Sequence, residues 1–371
     1  MESTPSFVEC LHDGRVYEAA RRAIPAEAGA ERAAALAAAR RAKGAAALLR
    51  EIDSEKDWST VHDSDGLSVR FRKSSALGAD ASSRSVYGVK LTADFDAPMF
   101  ALLASAREFD LVAQWNRYVT RSDILSVPDR LSLTVFQEVW APFPFAHRSM
   151  AFEAYGVDLL DEPDACMVVV CDAAAEEEGE QASSASASKR AEFDAAVAER
   201  STSGAVRSWW RGCGIKMRPL PAAEGDASGA TRTRATMMMV IDPQMAWVPS
   251  WLVSLMLTVG SPWVFRQING ILSQIGERCG AEWGSADNGD GDGDGDGDGA
   301  SAPGAAGERV AAAAAAEDEA TPSGGGWGAV AALYAERIAA NRALYGYVQR
   351  RCDAFVRVQN DEASSLPSPN Y

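Results

Sequence analysis

The chain has 371 residues, of which 47% are hydrophobic and 24% charged. That is enough apolar material for one large domain or two smaller ones. Its net charge of −16 is local: residues 172–200 carry −5 and residues 277–321 carry −10, leaving −1 elsewhere, so the remainder lacks the basic footprint of a nucleic-acid binder.

Residues 5–52 read as helix because runs such as AERAAALAAARRAKGAAALLREI have high intrinsic helix propensity. Between Arg15 and Arg50 stand eight bases and three acids, a pattern that fits a solvated helical face or attraction to an anionic membrane surface. From Trp58 the pattern turns to strands. WSTVHDSDGLSVRFRK holds two short runs around Asp65–Gly66, a hairpin signal. SRSVYGVKLTA alternates as a third strand. Pro98 then opens a helix through MFALLASA, and a second short helix is expected around Phe109–Trp115. RYVTRSDIL, RLSLTVFQEVW, HRSMAFEAYGVDLL and CMVVVCD follow as four strand candidates. Leu131, Leu133, Val135 and Val139 share one face, the half-buried alternation of an antiparallel sheet.

Residues 172–206 are rich in Glu, Ala and Ser and are expected not to bury enough apolar area to order themselves. Strands return at GIKMRPLP and TRTRATMMMVID, where Thr233, Ala235, Met237, Met239 and Ile241 share a face. A long apolar helix runs from about Pro249 to Gly276, within which Gly260–Pro262 is a natural break in the hydrogen-bond ladder. The stretch from Pro243 to Phe265 carries no charge and is long enough to span a bilayer. Pro249, Gly260 and Pro262 interrupt it, which favours a buried or ligand-covering helix. Residues 284–326 read as a low-complexity linker, and a last amphipathic helix is expected over about Trp327–Val358.

No strand–helix–strand alternation recurs, which argues against a doubly wound parallel fold. Three segments carry a resemblance instead. Trp58 with DGLSVRFRK, the proline-aromatic loop and strand WAPFPFAHRSMAFEAYG at 140–156, and VPSWLVSLMLTVGSPWVFRQINGIL at 248–272 together resemble the START family of lipid-transfer domains, within the Bet v 1-like helix-grip superfamily. The resemblance covers roughly residues 57–276. Family members usually carry Asp after the loop Arg. Here Ser149 follows Arg148, so the salt bridge that Asp would make is in question.

The resemblance implies an α+β helix-grip fold, with a curved antiparallel β-sheet around a long C-terminal helix and helical extensions at both ends. The expected organisation is a helical extension over 1–56, a lipid-binding domain over 57–276 interrupted by the unordered 172–206, an acidic linker over 277–326, an amphipathic helix over 327–359 and a tail over 360–371. The implied function is binding a lipid or sterol in an internal apolar tunnel and carrying or sensing it in the cytosol. The ligand-binding candidates are Trp115, Val135, Arg148, Phe152, Met237, Met239, Trp251, Leu255 and Val259. Three adjacent methionines at 237–239 suit irregular acyl or ring shapes. Arg148 reads either as a cation for a headgroup phosphate, or for a buried carboxylate such as Glu153, or as an exposed loop arginine.

Catalytic signals are missing. His12, His62 and His147 are scattered, and no G-x-S-x-G, H-E-x-x-H, Walker or dinucleotide-binding pattern occurs. Asp290 to Asp298 alternate with glycine but lack the closing Glu of a calcium loop. The expectation is therefore no catalysis, no cofactor and no metal. The alternatives are a helix-grip enzyme of the cyclase or hydratase type, or a scaffold protein using its terminal helix. The expected partners are a lipid or sterol, a membrane surface in passing, and a protein partner on the C-terminal helix. The six cysteines show no C-x-x-C spacing, and there is no N-x-S/T sequon or secretory leader, so a reducing cytoplasm is the expected compartment.

Overall fold

The computed structural model describes residues 30–64, 66–74, 86–141, 145–162, 166–172, 184–221, 232–242, 250–283 and 327–365. Ten strands form one sheet in the order β1-β2-β3-β10-β9-β7-β6-β5-β4, with the short β8 set beside β6. They span Ser59–Ser64 (β1), Leu67–Ser74 (β2), Val86–Phe95 (β3), Val119–Asp129 (β4), Ser132–Val139 (β5), Arg148–Leu159 (β6), Cys166–Asp172 (β7), Val206–Arg207 (β8), Trp209–Leu220 (β9) and Arg232–Asp242 (β10). Neighbours pair antiparallel except β8, which runs parallel to β6. The β1–β2 hairpin closes at Ser64↔Leu67 with Gly66 at φ 74°, a left-handed conformation that glycine adopts at no steric cost. The long-range step is β10, which lies between β3 and β9 and joins the two halves of the chain.

Alternation along each strand sends side chains to two faces. Leu67, Val69 and Phe71, then Leu133 and Val135, then Met150, Phe152 and Ala154 enter the main core. Helix α2 (Met99–Arg107), a 3₁₀ turn (Phe109–Gln114), α4 (Ser250–Trp283), α5 (Trp327–Ala340) and α6 (Arg342–Ser365) cover that inner face. The opposite face buries Tyr155, Val157, Val168, Val170, Met238 and Val240 under Ala42, Ala45, Leu48 and Ile52 of α1 (Ala30–Asp53). The contact is close: a Cβ on Gly214 would lie 2.3 Å from the Val169 carbonyl oxygen and 2.4 Å from a Leu48 methyl. The helix α1 is therefore a third layer of the same unit.

The inner helices grip the sheet at both ends. Thr258 Oγ1 donates to the Val61 carbonyl on β1 at 3.3 Å. At the other end Trp263 packs edge-on to Tyr118, with ring centroids 5.5 Å apart, and Tyr118 lies against Trp140. Phe265 meets Phe95 at the end of β3. This is the α+β helix-grip architecture.

Several expectations are corrected. Within 172–206, Ser184–Arg200 forms helix α3. Its Phe193 and Val197 close a small core with Phe136 and Ala151, so two well-placed apolar residues suffice to dock an otherwise polar helix. The helix expected over 327–358 is two, parted at Asn341. Nor does α4 break at Gly260–Pro262; it continues through Pro262 to Trp283. Among the described residues no helix is long and apolar enough to cross a membrane. The linker at 284–326, the N-terminal segment before 30 and the loop at 142–144 lie outside the described residues.

Candidate functional site

The inner face has two halves that differ in packing. In one, α2, α5, α6 and the C-terminal half of α4 press on the sheet. Ile271, Leu272, Ile275 and Cys279 of α4 are buried, and the gaps beside Leu103, Leu131 and Met217 hold only about 20 Å³ each, roughly room for one water. In the other half, under the N-terminal part of α4, apolar side chains in the middle of the sheet are only half-buried. A cross-strand row runs Val69↔Leu91↔Met237↔Ile215↔Val169 through β2, β3, β10, β9 and β7. Its ends, Val69 and Val169, are buried in the core. Its centre, Leu91, Met237 and Ile215, is half-buried although helices cover this face. Met239 is likewise half-buried on the same side. On α4, Val253, Leu257, Phe265 and Ile268 also pack on the core without being fully enclosed.

The expected site residues divide accordingly. Val135 and Phe152 are fully buried in the core, and Phe152 meets Phe109 edge-on at 5.5 Å. Trp115 is half-buried, and its indole N–H donates to the Tyr334 hydroxyl at 3.0 Å. That bond ties the 3₁₀ turn to α5. Met239 packs on the inner core and Met238 on the outer one, and Met237, paired with Leu91 and Ile215, falls on the inner face by strand alternation.

Arg148 opens β6 on the same side as Met150 and Phe152, half-buried at the rim, where its guanidinium bonds the carbonyls of Ala146 and His147. Burial holds the Arg148 pKa below the usual arginine range. Glu153, five residues on, falls on the opposite face of β6 and is corrected as its carboxylate partner. Ser149 is buried and cannot supply the charge of the usual Asp.

Trp251, Leu255 and Val259 are corrected as tunnel lining. They are 67%, 52% and 67% exposed, with Met256 beside them at 47%. The inward stripe is instead Val253, Leu257, Ser261, Phe265, Ile268 and Leu272. A helix that is apolar nearly all round does not reveal which stripe faces inward. The missed residues, Leu91, Ile215, Val253 and Leu257, carry no motif, and only the strand register and the helix rotation select them.

Polar groups concentrate outside this region. Glu138, buried at the β5 end, accepts from Thr202 N–H at 2.8 Å, Thr202 Oγ1 at 2.9 Å and Thr120 Oγ1 at 3.2 Å, with His147 Nδ1 at 3.3 Å. Burial pushes its carboxyl up, but these hydrogen bonds outweigh it and hold the group below the usual range. Among the described residues no group of His, Cys, Asp and Glu is placed to hold a metal.

No family model matches the chain, and no curated protein matches it in sequence. Solved structures are similar to it in outline. Human STARD10 is 13% identical, with 60% of this chain and 76% of that one covered at a TM-score of 0.41. Human StAR-related lipid transfer protein 5 is 13% identical, with 64% and 97% covered at 0.47. A STAR-related lipid transfer protein from Xanthomonas axonopodis is 16% identical, with 59% and 99% covered at 0.38.

Proposed function

We propose that the chain binds a lipid or sterol between the N-terminal half of α4 and the centre of the sheet, and carries or senses it in the cytosol. The observation that carries this reading is the half-buried row Leu91–Met237–Ile215 at mid-sheet. Protein interiors are close-packed, so apolar side chains left half-covered beneath a helix mark space for an apolar occupant. The flexible thioethers of Met237 and Met239 adapt to irregular chains and rings. Half-buried Trp115 remains a lining candidate and Arg148 stands at the rim for a polar headgroup, while Val135 and Phe152 belong to the packed core.

The exposed stripe Trp251, Leu255, Met256 and Val259 takes a second role: transient contact with a membrane surface while the ligand is exchanged. A contiguous exposed apolar face of this kind marks an interaction surface. Tyr334, Ile338, Tyr345 and Val348 of the C-terminal helices are buried in the chain's own core, so a protein partner would meet other residues of these helices.

The test is uptake of a fluorescent lipid or sterol by three variants. Met237→Trp fills the space and is expected to lower uptake at least about tenfold, or roughly 1.4 kcal/mol, without lowering the melting temperature. Leu257→Asp is expected to lower both uptake and stability, since a carboxylate in a dry site costs several kcal/mol. Leu255→Asp, on the outer face, is expected to leave melting and cavity affinity unchanged. Full uptake by Met237→Trp contradicts the reading.

A further inference from the structure

On the opposite side of the sheet from the apolar space, the outer face carries a charged groove of about 390 Å³ beside the C-terminal end of α1. Its residues come from alternate positions on four strands. Arg70 and Lys90 form one cross-strand row. Ser68, Thr92, Thr236 and Lys216 form the next. Asp94, Arg234 and Arg218 form the third. Ile52, Asp53 and Glu55 of the α1 end make the wall.

The groove is lined by five cations and two acids, Asp53 and Glu55, with Asp94 beside it on Arg234, and most of the cations have assigned tasks. Lys90 donates to the carbonyls of Ile52 at 2.7 Å and Ser54 at 2.8 Å, closing the end of α1. Lys216 pairs with Asp53, Arg70 with Glu55, and Arg234 grips Asp94 with two bonds. Arg218 is exposed and has no hydrogen-bond or ion-pair partner among the described residues.

Like charges face each other directly across strands, Arg70 opposite Lys90 and Arg234 opposite Arg218, an arrangement that destabilises a sheet. Burial holds the Lys90 pKa below the usual lysine range; the Glu55 carboxylate opposes this, and the charges of Arg70 and Arg72 add to it. Between the two cationic rows lies a hydroxyl floor. Thr92 and Thr236 share one hydrogen bond at 3.1 Å, which leaves one of their two protons free to donate, and Ser68 adjoins them. The cationic rows stand four residues apart along β3, about 13 Å at the usual strand rise. A single phosphate does not span that distance, whereas two phosphates on one small framework do. The volume lies within the ~300–1,000 Å³ range of small-molecule sites.

We propose that this groove binds a small anion bearing two or more phosphate groups, with Arg218 as the open cation and the Ser68–Thr92–Thr236 hydroxyls as the floor. The site is separate from the lipid space and does not depend on it. The shared chemistry is a polyphosphorylated polyol, supplied either as a membrane headgroup or as a free metabolite.

The experiment titrates the full chain with inositol trisphosphate by calorimetry, and in parallel with vesicles of neutral phospholipid with and without a phosphorylated inositol lipid. Saturable binding that weakens as salt rises is expected. Arg218→Glu is expected to weaken it at least about tenfold, roughly 1.4 kcal/mol, with melting temperature and fluorescent-lipid uptake unchanged. The paired isosteric change Thr92→Val with Thr236→Val is expected to weaken it as well, since it removes the floor without leaving one hydroxyl facing a void. Binding to both probes assigns the headgroup source, and binding to the soluble probe alone assigns the free one. No saturable binding at millimolar probe, or equal binding by wild type and Arg218→Glu, overturns the proposal. Loss of lipid uptake alone speaks against the apolar site and leaves this one standing.

Discussion

Glu138 is the buried charge on which one rim of the sheet depends. Its carboxylate gathers donors from Thr202, Thr120 and His147, and so ties the segment after α3 to β5. Glu138→Gln keeps the shape but sets an amide N–H₂ against one of those donors. The expected cost is about 1.5–3 kcal/mol, the range for hydrogen bonds to charged groups, measured by denaturant unfolding at pH 7. The pH dependence has a definite sign. The folded carboxyl lies below its ordinary value of 4.5, so its stabilisation is present above that value and is lost as pH falls through the folded one. Wild type should therefore lose stability more steeply than Glu138→Gln below about pH 4.5. Parallel acid limbs would show that Glu138 carries no such linkage.

Residues of this kind were the least legible in the sequence. Nothing in the pattern marks Glu138 or Thr202 as partners, because they are 64 positions apart. Inward-facing strand residues were legible: Val135, Phe152, Met237 and Met239 lie where alternation puts them. The helical candidates were not, because Trp251, Leu255 and Val259 share a stripe as apolar as that of Val253 and Leu257, and only packing distinguishes the two.

At the scale of elements, the outer layer and the terminal helices are parts of the fold. Gly214 admits Leu48 of α1 against the sheet. Gly214→Ala has no room for its methyl, and the overpacking is expected to cost about 1–3 kcal/mol, read from a chemical melt. An unchanged midpoint would contradict the close approach of both the Val169 carbonyl and Leu48 to Gly214. The terminal pair α5 and α6 is fixed by polar bonds as well as by burial. The Tyr345 hydroxyl donates to Glu108 at 2.7 Å, the Tyr347 hydroxyl donates to Asp158 at 2.7 Å, and Arg351 joins Asp158 and Asp161. Burial, and then the charge of Glu108, keep the Tyr345 hydroxyl protonated far above the usual tyrosine range. Truncation after residue 326 strips Tyr334, Ile338, Tyr345, Val348 and Cys352 from the core. At about 1.5–3 kcal/mol for each large side chain, the loss rivals the ~5–15 kcal/mol that holds a domain together. The truncated chain is expected to lose its near-ultraviolet circular dichroism, whereas a detachable helix would leave that signal intact. The sequence showed the helical period of this region but not its destination, since an amphipathic stripe fits a partner's surface as well as its own core.

Across the whole molecule, the long helix α4 divides the inner face. Its C-terminal half seals a packed core and its N-terminal half stands over the half-covered centre of the sheet. The succession of strands and helices was legible along the chain, and the gripping helix was implied by the resemblance that succession carried; the order of strands in the sheet, with β10 between β3 and β9, was not legible. The docked helix α3 was not, because its composition resembles a solvated segment and only Phe193 and Val197 anchor it. The account turns on whether apolar matter occupies the space beneath α4. Native mass spectrometry of the full chain purified from cells, beside Met237→Trp prepared in the same way, tests this most directly. The account predicts a lipid- or sterol-sized mass adduct on the wild-type chain, released on denaturation and much reduced in Met237→Trp. A wild-type chain that carries no such adduct, even after incubation with lipid vesicles, would contradict it.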